Sequence, residues 1–272
     1  MLSRTADHLY WMSRYTERAE NTARMLDVNY QMSLLPQSAE VAEQAWRSLL
    51  EISELTASFD ANYVLMSPSD VIRFMVSDMN NPSSIMRCLQ AARENARVVR
   101  GSMTTELWET INTTWLDAQK MMREGILEKA PSEFFEWVKF RSHLSRGVTV
   151  GTMLMDEALY FMRLGTFLER ADNTARLVDV KFHAVQADRY GAVPMVSSLA
   201  QQVQLQSQVQ SQNIESSTDS SQEFDFYHWS AILRSAAASA CGAGAASSGA
   251  TVRHRTARKD AVTDFMGLRQ PQ

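Results

Sequence analysis

A twelve-residue phrase occurs twice in this chain. Residues 17–28 read ERAENTARMLDV and residues 169–180 read ERADNTARLVDV, at a constant offset of 152 positions and without a gap. Nine positions are identical: Glu17/Glu169, Arg18/Arg170, Ala19/Ala171, Asn21/Asn173, Thr22/Thr174, Ala23/Ala175, Arg24/Arg176, Asp27/Asp179 and Val28/Val180. The other three are conservative, Glu20/Asp172, Met25/Leu177 and Leu26/Val178. Chance does not keep charge, amide and alanine in register over that length. Internal repetition constrains architecture before any local signal does. Here it predicts two related halves that bring equivalent polar helices together about a pseudo-two-fold axis.

The residues around the repeat read as helix. Leu9, Met12, Ala19, Ala23, Leu26 and Tyr30 follow helical spacing and predict a helix from about 5 to 33, ended by Pro36. Ser38 starts a second helix to about Phe59. Ser67-Pro68-Ser69-Asp70 opens a short one with a hydroxyl cap, a first-turn proline and an acid at the positive end of the helix dipole. Asn81-Pro82-Ser83-Ser84 repeats that grammar and opens a helix to about Arg100. Further helices are predicted from about 104 to 122, from Pro131 through Leu144, and from about 152 to 188, with Gly147 and Gly151 bracketing a break. Fold class follows: all-α, a bundle of about seven helices with an internal pseudo-two-fold repeat. Residues 1–190 form the main domain. Residues 197–222 are Ser- and Gln-rich, a composition that cannot bury enough apolar surface to order itself, and read as a linker or insertion. Residues 224–235 (Phe224, Phe226, Tyr227, Trp229, Ile232, Leu233) read as a remaining helix of the same domain or as a docking surface. Residues 236–272 are low-complexity.

Composition removes several function classes. No apolar run reaches a membrane span, and residues 1–7 lack the layout of a secretory signal, so no membrane association and a cytoplasmic location are expected. A formal charge of −4 gives no reason to expect a nucleic-acid partner. Cys88 and Cys241 form neither a disulfide framework nor a metal-spaced set, and Cys88, beside Ile85 and Leu89, reads as a buried inert thiol. A di-metal carboxylate bundle needs Glu-x-x-His on two helices. None of His8, His143, His183, His228 and His254 has a glutamate three residues before it, so no metal and no cofactor are expected. Nucleotide-binding glycine loops and a Gly-x-Ser-x-Gly elbow are also missing from the sequence.

What remains is the charged phrase itself. On a helix, Glu17, Asn21 and Arg24 share a face, with Arg14 and Arg18 beside Glu17, and Glu169, Asn173 and Arg176 repeat the pattern next to Arg170. Ala19, Ala23, Ala171 and Ala175 would let the helices approach closely. The nine residues Arg14, Glu17, Arg18, Asn21, Arg24, Glu169, Arg170, Asn173 and Arg176 are the candidate site. Two readings fit them: arginines holding an anionic ligand, with a glutamate orienting an amine, or an internal ion-pair network that fixes helix register. Ion-pair networks are the commoner arrangement. Glu20 is expected to point away from Glu17 and Arg24. Arg93-Glu94-Asn95-Ala96-Arg97 echoes half the motif and reads as a solvated face.

The phrases LYWMSRYTERAENTARMLDV (9–28), NPSSIMRCLQAARENAR (81–97) and LERADNTARLVDV (168–180) resemble the alpha-E family, as does DFYHWSAILRS (225–235). The sequence departs from the family's usual pattern at Thr16 and Thr166. After about Ser235 it departs altogether, and the tail there reads as frameshifted or otherwise aberrant. The resemblance implies an all-helical bacterial domain, named for its helices and its Glu-Arg pair. Such domains usually occur beside circularly permuted ATP-grasp proteins and transglutaminase-like proteins. It therefore implies those two partners and a role in making or modifying a peptide. The expected function is a non-catalytic helical partner or scaffold of an ATP-grasp peptide ligase system. The alternative is an enzyme of amide-bond formation that uses the Glu-Arg cluster.

Overall fold

A computed structural model describes residues 1–190 and is all-α. Its nine α-helices are α1 (Ser3–Ser33), α2 (Ala39–Ile52), α3 (Thr56–Asp60), α4 (Pro68–Val76), α5 (Ile85–Val98), α6 (Thr105–Arg123), α7 (Ile126–Lys129), α8 (Pro131–Thr152) and α9 (Glu157–Tyr190). No strand occurs among the described residues. Seven of the helices match the seven expected, and α3 and α7 are the additions. The stretches 197–222, 224–235 and 236–272 lie outside the described residues. No helix among the described residues is long and apolar enough to cross a membrane.

Local chemistry explains the starts. Ser38, Ser67, Ser84 and Thr104 each accept a hydrogen bond from the backbone N–H three residues on, which satisfies one orphan donor per helix. Two expected boundaries differ. The second helix does not run unbroken to Phe59. Glu54 adopts a left-handed conformation (φ 55°) between α2 and α3, at a cost of about 1–2 kcal/mol, and the turn lets Leu55 and Phe59 both enter the core. Gly147 and Gly151 break nothing, because α8 runs through both to Thr152. A mid-helix glycine costs only about 0.5–1 kcal/mol, and the packing of the Ser142–Arg146 turn outweighs it.

α1 is the hub and packs along α9, α5 and α8. One apolar cluster gathers Leu26, Trp46, Leu50, Phe59, Phe74, Phe134 and Phe135; a second gathers Leu9, Met12, Ala96, Leu107 and Met162. α1 contributes to both, and Arg14, Glu17 and Arg18 fall between its Leu9–Met12 and Ala19–Leu26 contributions. The close approach of α1 to α9 does not come from paired alanines, as the sequence suggested. Ala19 and Ala23 are buried, but Ala171 and Ala175 face outward. The close contact is at Gly165, where a Cβ would collide with the Tyr10 backbone carbonyl.

Candidate functional site

The two copies of the phrase lie on α1 and α9, and their Glu-Arg pairs exchange partners. Arg170 of α9 donates to Glu17 of α1, Nε to Oε1 at 2.9 Å and Nη2 to Oε2 at 3.2 Å. In return, Arg18 of α1 donates to Glu169 of α9, Nε to Oε1 at 2.6 Å and Nη2 to Oε2 at 3.0 Å. Both are two-pronged contacts of the kind a guanidinium and a carboxylate make best. Arg14 adds a second donor to Glu169 at 2.7 Å. Glu17 and Glu169 are 2% and 4% exposed. Burial opposes the charges of Arg14 and Arg18, but Glu169 outweighs it and pushes both guanidinium groups above their ordinary value. Arg14 also lies 5.2 Å from the Trp11 ring, and Arg170 lies 5.7 Å from Phe167.

A second layer comes from α8, which nothing in the repeat announces. Arg146 bridges two acids of α1, with Nη1 to Glu17 at 3.2 Å and Nη2 to Glu20 at 2.6 Å. Ser142 donates to Glu20 at 2.6 Å, and Arg24 Nε does so at 3.0 Å. Arg24 also meets His143 Nε2 at 2.9 Å. Glu20 is fully buried, which overturns the expectation that it points away. The error has a simple origin: Arg24 is four residues from Glu20 and turns toward it and α8, leaving the Glu17 face. Burial raises the Glu20 carboxyl, but Arg146, Ser142 and Arg24 together hold it below its ordinary value.

The remaining candidates divide. Arg176 mirrors Arg24 by pairing with Asp172 four residues before it, at 3.1 Å, and it reaches Glu54 in the left-handed turn. Asn21 is buried, and its Nδ2 has no hydrogen-bond partner among the described residues. Asn173 is half-buried, and no side-chain hydrogen bond joins it to the rest of the site. Sequence reasoning missed Ser142, His143, Arg146 and Glu54. The shared Glu20/Asp172 position, one turn before each arginine, was the signal that could have placed Glu20. Arg93, Glu94 and Arg97 stand apart, pairing with one another on α5.

Beyond the network, α9 exposes an apolar stripe: Tyr160, Leu164, Phe167, Ala171, Ala175 and Val178 follow one another at helical spacing on its outer side. A shallow groove of about 710 Å³ runs along the Phe167–Asp179 part of it. Among the described residues no group of three His, Cys, Asp or Glu side chains is arranged to hold a metal ion.

An all-helical domain whose two Glu-Arg pairs interlock matches a described class. The chain belongs to the Alpha-E family, a predicted alpha-helical domain with a conserved ER motif, whose model matches residues 1–241. No curated protein and no solved structure matches the chain.

Proposed function

We propose that this chain is a non-catalytic helical partner or scaffold of an ATP-grasp peptide ligase system, and that its Glu-Arg motif locks the bundle and takes no substrate. The observation that carries the reading is the saturation of the motif's acids. Glu17, Glu20 and Glu169 each face two guanidinium groups. Both oxygens of Glu17 and of Glu169 are taken up by guanidinium N–H donors, and the Glu20 carboxyl is held below its ordinary value, which makes it a weak proton acceptor. The outer stripe of α9 supports the partner role. Contiguous exposed apolar surface on a helix is the usual mark of an interaction site. The ATP-grasp partner itself is what the family resemblance implies.

The experiment is co-purification with the ATP-grasp protein that the family resemblance implies as the partner, followed by a ligase assay with and without this chain. Leu164→Glu alters the outer stripe and should abolish capture while leaving the thermal melt near that of the wild type. Arg170→Ala should lower the melt first and capture only through unfolding. Ligase activity indifferent to this chain, or amide-bond turnover by this chain alone, would overturn the reading.

A further inference from the structure

The two copies of the phrase agree on one side of their helices and differ on the other. Met25 and Leu177, equivalent in the repeat, are both buried. Ala19, Ala23 and Leu26 of α1 are buried as well, whereas their equivalents on α9, Ala171, Ala175 and Val178, are exposed; Leu26 is 0% exposed and Val178 44%. On α1 these residues join the apolar cluster to which α2, packed on α1, brings Trp46, Leu49 and Leu50. On α9 the matching face lines the shallow groove with Phe167, and no element among the described residues buries it. One half of the repeat is therefore clothed and the other is bare.

The chain beyond α9 carries a stretch with the side chains to cover that face. Trp46-Arg47-Ser48-Leu49-Leu50 of α2 is echoed by Trp229-Ser230-Ala231-Ile232-Leu233. Of the five buried positions of α2, four are matched in kind, at 46, 48, 49 and 50; Ser235 stands where α2 has Ile52. Phe226, Trp229, Ile232 and Leu233 fall on one side of a helix. The offset from Trp46 to Trp229 is 183 positions, longer than that of the Glu-Arg phrase, and the Ser- and Gln-rich stretch 197–222 supplies most of the difference. Reach is ample. Residues 191–223 can span roughly 100 Å when extended, against about 35 Å from Tyr190 back to Phe167 along the helix. The family match also runs through this segment, to residue 241. We propose that residues 224–235 are the second-half equivalent of α2 and dock in their own chain on the outer face of α9, with Trp229, Ile232 and Leu233 against Ala171, Ala175 and Val178. Tyr160 and Leu164 do not line the groove, so that end of the stripe stays open to a partner. The docking does not depend on the scaffold reading.

The test is hydrogen–deuterium exchange of the full chain, read by mass spectrometry at several protein concentrations. Amides of 229–235 should exchange roughly 100-fold or more slowly than in a synthetic 224–235 peptide, at every concentration. Ala175→Glu puts a charge in the groove and should return the segment to peptide-like exchange while the α1 amides keep their protection. On a bare helix surface the same change would be nearly silent, because alanine and glutamate are both good helix formers. Trp229→Ala should loosen the segment from the other side, and it carries the comparison should the glutamate variant fail to fold. Leu164→Glu should leave the protection of 229–235 intact even where it abolishes partner capture, which separates this docking from the partner surface. Peptide-like exchange in the wild type, or protection that Ala175→Glu does not change, would overturn the proposal. So would protection that appears only at high protein concentration, which would put a second copy of the chain in the groove.

Discussion

At the scale of the residue, the two glutamates of α1 invite direct comparison. Glu17 is held by Arg170 and Arg146, and Glu20 by Arg146, Arg24 and Ser142. Removing one partner of a buried ion pair leaves the other uncompensated and costs on the order of 3–5 kcal/mol. Glu20→Ala should therefore destabilise at least as much as Glu17→Ala in urea denaturation; a Glu20→Ala midpoint close to wild type would contradict the buried network. Cys88 gives a second check. It is fully buried, and desolvation pushes its thiol up to about 12 in spite of nearby Arg18. In a Cys241→Ser background, the native protein should not react with a thiol reagent at pH 8 until denaturant is added. Prompt labelling would show that Cys88 is reachable. The sequence made the inertness of Cys88 legible through its apolar neighbours. It made the Glu20 environment illegible, because Ser142, His143 and Arg146 carry no motif and lie more than a hundred residues away from their partners.

At the scale of the element, the repeat made the α1–α9 pairing legible. Two copies of one charged phrase, each acid needing a base, have a natural solution in exchange. What the repeat misjudged was how the helices come close. The alanines of the second copy face out, and Gly165, outside the repeated phrase, meets the α1 backbone. A glycine in mid-helix costs about 0.5–1 kcal/mol relative to alanine, so its presence there needs a reason, and the Tyr10 carbonyl is the reason. Gly165→Ala should lose about 1–3 kcal/mol of stability through overpacking, read from the shift in denaturant midpoint. A variant more stable than wild type, as helix propensity alone would give, would show that the helices part freely. The breaks were the other weakness. Glycine at 147 and 151 looked like punctuation, and the left-handed Glu54 carried no sign at all. In both places tertiary packing decided, and no window of sequence contains it.

At the scale of the whole molecule, the charged layer sets an acid limit on stability. The folded state holds the Glu20 carboxyl below its ordinary value of 4.5, so the unfolded chain binds the proton more readily. The stability this provides is complete above about pH 4.5 and is lost as pH falls through the lower, folded-state value. Denaturation midpoints should be level from pH 7 to about pH 5 and fall below that, with a shallower fall in Glu20→Gln. A decline that begins at neutral pH would point to other groups. The exchange of arginines also has a consequence in time. The motif partners stand 151 to 153 positions apart along the chain. A ribosome adding about 5–20 residues per second reaches the second copy roughly 8–30 s after the first. Through that interval Arg18 has no mate and Glu17 lacks Arg170, with Arg146 of α8 its one earlier partner, so the longest helix of the nascent chain cannot complete its charged side. A transcript cut short before α9 should therefore yield protease-sensitive product however much of the apolar core it encodes, and completion of the second Glu-Arg pair is the event that commits the chain to its final form.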